Sequence, residues 1–172
     1  LFSELCQYIE NLFFCYVITR EPTKMFERNF TRWARELRKV SDKEGLQGFY
    51  ERYLKTDLAE RSNAFAFAFS ELSLARIQQY RMKYILAKLA QFVELDAYGN
   101  RADVPLDHYI SSDNHIEHIL PQSPEPGARE RFDKPLEYDQ YKAKLGNLTL
   151  VDKSSNPSMS NKAFADKKVG YE

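Results

Sequence analysis

The sequence predicts a mainly α-helical fold with a small α+β module towards its C-terminal end. Before residue 100, apolar residues recur at helical spacing over long stretches. After that point short apolar runs replace them, and residues 101–157 hold most of the prolines and all three histidines. We therefore expect a helical platform over residues 1–100 and a short-stranded module over residues 101–172. Together they would form one compact C-terminal domain of a longer protein.

Composition narrows the class of protein before any motif is considered. With 43% hydrophobic and 14% aromatic residues, the chain has enough apolar surface to fold, which argues against disorder. It contains no run of about 18 apolar residues, so we predict no membrane span. Cys6 and Cys15 are too few for a disulfide framework or a cysteine-rich zinc site. We expect them to be buried thiols in a cytoplasmic protein.

Three long helices are predicted in the platform. The first covers residues 3–19, and Glu21-Pro22 after it prevents the helix from continuing. The third runs from residue 74 to residue 95. The second begins with Thr23 as its N-cap, and we expect it to bury one apolar stripe. The residues of that stripe are Phe26, Phe30, Trp33, Leu37 and Val40. The run Ala64–Phe69 alternates alanine with phenylalanine, a pattern compatible with a strand or with a helix continued from helical flanks.

Positive charge is concentrated in two zones of a chain whose formal net charge is zero. Seven basic and three acidic residues lie between Lys24 and Lys43, and six lysines and three acids lie between Gln140 and Glu172. In the first zone, Arg28, Arg32 and Arg35 follow the helix face opposite the apolar stripe. That arrangement is compatible with a solvated face or with contacts to a phosphate backbone.

The chemistry-bearing residues cluster in the last third of the chain. His115-Ile116-Glu117-His118-Ile119-Leu120-Pro121-Gln122 is expected to be extended, with Glu117 and His118 on opposite sides of the strand. A second strand is expected to begin at Asn147, with Leu148 and Leu150 on its inward face. A turn at Asn156 then leads into a helix whose buried contact would be Phe164. An acid–base histidine, a hard oxygen ligand and amide oxygens suit a divalent cation and a phosphodiester.

The combined motif resembles the C-terminal HNH nuclease domain of the GmrSD-like restriction proteins of bacteria, a group that includes the SspE-type enzymes. The residues that carry the resemblance are His115 to Gln122, Leu145-Gly146-Asn147-Leu148-Thr149-Leu150, Asn156, Asn161, Phe164 and Lys167. The resemblance implies a ββα-metal module on a helical platform. It also implies metal-dependent cleavage or nicking of DNA in a phage-defence system.

The same resemblance assigns a role to each site residue. His118 corresponds to the general base, and Asn147 to the residue that orients this histidine through the adjacent backbone. Glu117 and Asn156 correspond to ligands of Mg²⁺ or Mn²⁺. His115 would be either an extra ligand or only a neighbour, since it shares the side of Glu117.

DNA is the expected partner, and a missing N-terminal domain of the same chain would supply targeting. Lys167 and Lys168 are expected to be solvated or to contact phosphate, and Asn161 to cap the last helix or to contact DNA. The arginines of the second helix are further candidates for DNA contact. The alternative function is a non-catalytic DNA-binding or interaction module that retains the same scaffold.

Overall fold

The computed structural model of the chain describes residues 2–99, 104–154 and 161–168. Within these ranges the protein is mainly helical with a two-stranded antiparallel sheet, so the predicted mainly α fold with a small β-containing module is confirmed. The chain divides into two compact units, residues 1–71 and 72–172. The domain boundary predicted between residues 100 and 101 stays a prediction, because compactness alone does not reveal which segments fold independently.

The first unit is built from helices. They are α1 (Phe2–Thr19), α2 (Thr23–Leu37), α3 (Lys43–Phe49), a π-helical segment (Tyr50–Lys55) and α4 (Thr56–Ser70). The run Ala64–Phe69 lies inside α4 and is therefore helical. Alanine is the strongest helix former and a weak strand former, so the helix that begins at Thr56 continues through the alternating segment.

An aromatic-rich core holds the first unit together. Its buried residues are Leu12, Trp33, Phe49, Tyr50 and Leu54, with Phe26, Leu37 and Val40 packed against them. The predicted burial of Phe30 is wrong, because its side chain is 46% exposed. Its ring stacks on Phe26 with centroids 6.0 Å apart, so it covers the outer side of that residue. The predicted pair of buried thiols is also wrong, since Cys6 is exposed and Cys15 is only half-buried.

A polar network joins α1, α2 and α4. The Tyr16 hydroxyl accepts hydrogen bonds from Asn29 Nδ2 at 2.6 Å and from an Arg61 guanidinium nitrogen at 2.8 Å. Arg61 also pairs with Asp57 at 3.2 Å and with Glu21 at 3.1 Å. Because these groups lie where water is largely excluded, each depends on its partners for hydrogen bonding.

The second unit contains the strands and the shorter helices. Its elements are α5 (Gln79–Tyr98), α6 (Leu106–Ile110), β1 (Asn114–His118), a 3₁₀ turn (Pro135–Glu137), α7 (Tyr138–Tyr141), a second 3₁₀ turn (Leu145–Asn147), β2 (Leu148–Asp152) and α8 (Phe164–Lys167). In the described residues, no helix is both long enough and apolar enough to cross a bilayer.

Helix α5 begins five residues later than predicted, at Gln79 instead of Leu74. The backbone before it bonds elsewhere: Leu74 N–H donates to the Ala143 carbonyl, and Leu145 N–H donates to the Leu72 carbonyl, both at 3.1 Å. These bonds hold the segment leading into α5 against the segment that enters β2. The start of the helix is therefore fixed by tertiary pairing that local periodicity does not reveal.

Candidate functional site

Strands β1 and β2 form the frame of the site. They pair antiparallel, with Ile116 opposite Leu150, Glu117 opposite Thr149 and His118 opposite Leu148. Since side chains alternate between the two faces of a strand, Glu117 and His118 point to opposite sides of this ribbon. The ladder continues past β1, where Ile119 N–H donates to the Asn147 carbonyl at 2.9 Å.

Asn147 connects the end of β1 to the segment before β2. Its side-chain oxygen accepts from Leu120 N–H at 2.7 Å, and its Nδ2 donates to the Leu120 carbonyl at 3.0 Å. The same amide nitrogen also donates to the Lys142 carbonyl at 2.9 Å. Asn147 is only 7% exposed, so these backbone groups are its hydrogen-bond partners in place of water.

The Lys142 carbonyl also faces the His118 ring, 3.2 Å from Nδ1. Because a carbonyl oxygen only accepts hydrogen bonds, this contact requires a hydrogen on Nδ1. In the neutral imidazole the lone pair is then on Nε2. Burial lowers the pKa of His118 below its ordinary value, and the charges of Lys167 and Lys142 act in the same direction. The bond to the Lys142 carbonyl and the charge of Glu117 oppose that shift without reversing it.

Glu117 and Lys167 form a buried ion pair between β1 and α8. Lys167 Nζ lies 2.5 Å from Glu117 Oε1 and 2.6 Å from the His118 carbonyl oxygen. Lys167 is 1% exposed and Glu117 is 6% exposed. The prediction of a solvated Lys167 is therefore wrong. The predicted burial of Phe164 is wrong as well, because its side chain is 49% exposed and Lys167 is the residue of α8 that points inward.

Two further predicted ligands are Asn156 and His115. Asn156 lies outside the described residues. His115 lies on β1 opposite Val151. Hydrogen bonds from Ser154 lower the pKa of Asp152, and the charge of His115 acts in the same direction, so its imidazole is within electrostatic reach of that carboxyl.

The predicted DNA-contacting residues outside the buried pair are exposed. Arg28, Arg32 and Arg35 lie on α2, in the first unit, and Lys168 follows α8. Asn161 is not the N-cap of the last helix, since α8 begins at Phe164 and the residue before it is Ala163. The carbonyl of Asn161 instead accepts from Glu125 N–H at 3.2 Å.

The donor chemistry at Glu117 fits a divalent cation. A carboxylate oxygen is the ligand that Mg²⁺ and Mn²⁺ prefer, and here it already has a positive group, the Lys167 ammonium, bound to it. Across the described part of the chain, no three histidine, cysteine, aspartate or glutamate side chains converge on one point. Glu117 is the carboxylate that precedes His118 on β1, and its side chain lies on the opposite side of the strand.

Two features of the site have no recognisable signature in the sequence. Tyr138 is 1% exposed and donates its hydroxyl hydrogen to the Pro121 carbonyl at 2.8 Å, which anchors the chain just after β1. The other is the Lys142 carbonyl, a backbone group. A cavity of about 470 Å³ lies beside the contact between Tyr138 and Pro121. Residues that line it include Pro121, Phe132, Tyr138 and Phe164.

Comparison with known proteins identifies the family. No curated protein and no solved structure matches the chain significantly. A family model described as the C-terminal domain of GmrSD restriction endonucleases matches residues 59–172, which include α5, both strands and α8. The match confirms the resemblance drawn from the motif and makes the chain part of a nuclease family whose substrate is DNA. Because the matched region covers more than half of the chain, the protein belongs to the GmrSD restriction endonuclease C-terminal domain family.

Proposed function

We propose that this chain is a metal-dependent DNA endonuclease domain of the ββα-metal, or HNH, type, acting in a bacterial anti-phage restriction system. In this proposal His118 is the general base, and a divalent cation binds near the scissile phosphate. Membership of a restriction endonuclease family supports the reaction class. The arrangement around His118 supports the assignment of the base.

The observation that carries the proposal is the hydrogen bond between His118 Nδ1 and the Lys142 carbonyl, at 3.2 Å. It orients the ring and leaves Nε2 as the basic nitrogen. Asn147 bonds to the same carbonyl at 2.9 Å, so it acts as a positioning residue for the histidine. The lowered pKa of His118 keeps the imidazole neutral, as a base must be, at neutral pH.

The chemical step follows from that geometry. His118 Nε2 takes a proton from a water molecule while the water oxygen forms a bond to phosphorus. The bond between phosphorus and the 3′ oxygen breaks, and the departing oxygen takes up a proton to become a 3′ hydroxyl. The other product is a 5′ phosphate. His118 then returns its proton to solvent, so the enzyme is unchanged at the end of the cycle.

Glu117 and Asn156 are the proposed ligands of Mg²⁺ or Mn²⁺, with His115 as a further candidate. The ion would supply positive charge to the phosphate and to the departing 3′ oxygen. Lys168, Asn161 and the three exposed arginines of α2 are proposed contacts to DNA. Lys167 is not among the proposed DNA contacts, because its ammonium is buried and paired with Glu117.

A plasmid-nicking assay with the 172-residue chain tests the proposal. Nicking is measured with Mg²⁺ or Mn²⁺ for the wild type, for His118→Ala and for the matched control His108→Ala. His108 is an exposed histidine on α6 that has no part in the proposed mechanism. Removing a general base should slow nicking by about 10²–10⁴-fold, while the control should nick at the wild-type rate. Equal nicking by the wild type and His118→Ala would contradict the mechanism.

One observation favours the alternative of a non-catalytic DNA-binding module. The negative charge of Glu117 is already neutralised by Lys167, as in a purely structural ion pair. That alternative predicts that EDTA leaves DNA binding and all other functions unchanged. The nuclease proposal predicts that EDTA abolishes nicking and that excess Mg²⁺ restores it.

A further inference from the structure

Lys167 is the most deeply buried charged residue among those that the structure describes. Its ammonium contacts two oxygens, Glu117 Oε1 at 2.5 Å and the His118 carbonyl at 2.6 Å. The two oxygens belong to consecutive residues of β1, and the second of these residues, His118, is the proposed general base. The motif that identified the site includes this lysine, yet the proposed reaction gives it no role.

The contact is built into the fold. A lysine is almost never fully buried unless its charge is paired, because removal of water strongly disfavours an isolated ammonium. Helix α8 is four residues long, from Phe164 to Lys167, and its phenylalanine remains half exposed. Together with buried Ala163 just before the helix, Lys167 therefore fastens this segment to β1. The pair also means that Glu117 has a positive charge next to it before any metal ion binds.

We propose that Lys167 is the resident cation of the Glu117 site and that a divalent cation must displace its ammonium from Glu117 Oε1 in order to bind there. This inference rests on the proposed function, in which Glu117 is a metal ligand. A lysine ammonium and a divalent ion on the same carboxylate oxygen would repel each other strongly where water is excluded. The lysine thus weakens metal binding by the free protein, and the negative phosphate of bound DNA offsets that repulsion.

Metal binding without DNA tests the inference, with Mn²⁺ as the probe. Free Mn²⁺ is followed by electron paramagnetic resonance in titrations of the wild type, Lys167→Met and the control Lys168→Met. Methionine retains most of the length of lysine but lacks its charge. Lys167→Met should bind Mn²⁺ at least about tenfold more tightly than the wild type, since the competing cation is gone. Lys168→Met, which alters the exposed neighbour, should bind as the wild type does.

Thermal unfolding provides a second readout and covers the case in which Lys167→Met folds poorly. Without metal, this variant leaves a buried carboxylate unpaired, and its Tm should fall by about 10 °C or more. Mn²⁺ should restore a large part of that loss and should raise the Tm of the wild type much less. In the double variant Glu117→Gln, Lys167→Met, which lacks both charges, the effect of Mn²⁺ should disappear.

Three results would overturn the inference. They are equal or weaker Mn²⁺ binding by Lys167→Met, a loss of Tm that Mn²⁺ does not restore, and a Mn²⁺ effect that persists in the double variant. None of these readouts measures cleavage, so the role of Lys167 can fail while His118 remains the general base of the proposed function. If His118→Ala abolishes nicking while Lys167→Met leaves Mn²⁺ affinity unchanged, only the role of Lys167 is wrong. If Lys167→Met binds Mn²⁺ more tightly but His118→Ala still nicks, only the general base is wrong.

Discussion

The contacts that join the helices inside the first unit differ from those that join the two strands and α8 inside the second unit. In the first unit, five apolar or aromatic side chains form one buried cluster, and the polar network around Tyr16 joins its helices in addition. In the second unit, the two short strands and α8 meet through buried polar groups. Glu117, Asn147 and Lys167 are the buried polar and charged residues described there.

The difference shows where specificity in the second unit comes from. Apolar contacts are non-directional, so a core such as that around Leu12 tolerates small changes in side-chain angle. Asn147 and Lys167 make directional hydrogen bonds, three of which fix backbone groups of His118 and Leu120. A site in which one imidazole nitrogen must face the substrate requires directional hydrogen bonds. We therefore expect substitutions in the first unit to affect mainly stability, and substitutions in the second to affect chemistry as well.

The largest expected loss of stability is in the apolar core. Leu12 is 0% exposed, and Leu12→Ala should lower the free energy of unfolding by about 2–5 kcal/mol, because it leaves a cavity among aromatic side chains. Trp33 is the only tryptophan and lies in the same cluster, so its fluorescence during urea denaturation reports on this unit. Leu136→Ala makes the same change at a leucine that is 96% exposed, and should alter stability by less than about 0.5 kcal/mol. Equal effects would remove the distinction between the core and the surface.

A smaller loss of stability, accompanied by a loss of activity, is expected for Asn147→Ala. The change leaves Leu120 N–H and the carbonyls of Leu120 and Lys142 without their side-chain partner, which should cost about 1–3 kcal/mol. Nicking should slow by about 10²-fold, because the carbonyl that orients His118 is no longer held in place. Asn114→Ala is the matched control, since Asn114 lies at the other end of β1 and donates to the His108 carbonyl at 2.8 Å. A normal nicking rate for Asn147→Ala would show that the positioning role is wrong.

Features that repeat along the chain or form a compact motif could be predicted from the sequence. The helical spacing of apolar residues predicted α1 and α2, and two short apolar runs predicted the strands that bring Glu117, His118 and Asn147 together. These three residues lie close together because the two strands pair, and the motif allows that pairing to be recognised in the sequence.

The contacts that complete the site could not be predicted in this way. The Lys142 carbonyl is a backbone group, so its part in orienting His118 has no signature in residue type. Lys167 lies in a short charged segment, where local sequence favours exposure, and its partner Glu117 is 50 residues away. Its burial is decided by the way α8 returns to β1. The late start of α5 has the same origin, since Leu72 and Leu74 pair with a segment about seventy residues further along the chain.

The proposed role of His118 requires a hydrogen on Nδ1 and a lone pair on Nε2. Nitrogen NMR of the histidine side chains, assigned by comparison with His118→Ala, measures both the tautomer and the pKa. We predict hydrogen on Nδ1 and a bare Nε2 at neutral pH. Burial should hold the pKa below its ordinary value of about 6.5. The bond to the Lys142 carbonyl and the charge of Glu117 oppose this shift, and the charges of Lys167 and Lys142 add to it. The neutral base would then persist below pH 6.5 and be lost as the pH falls further, whereas hydrogen on Nε2 at neutral pH would contradict the account.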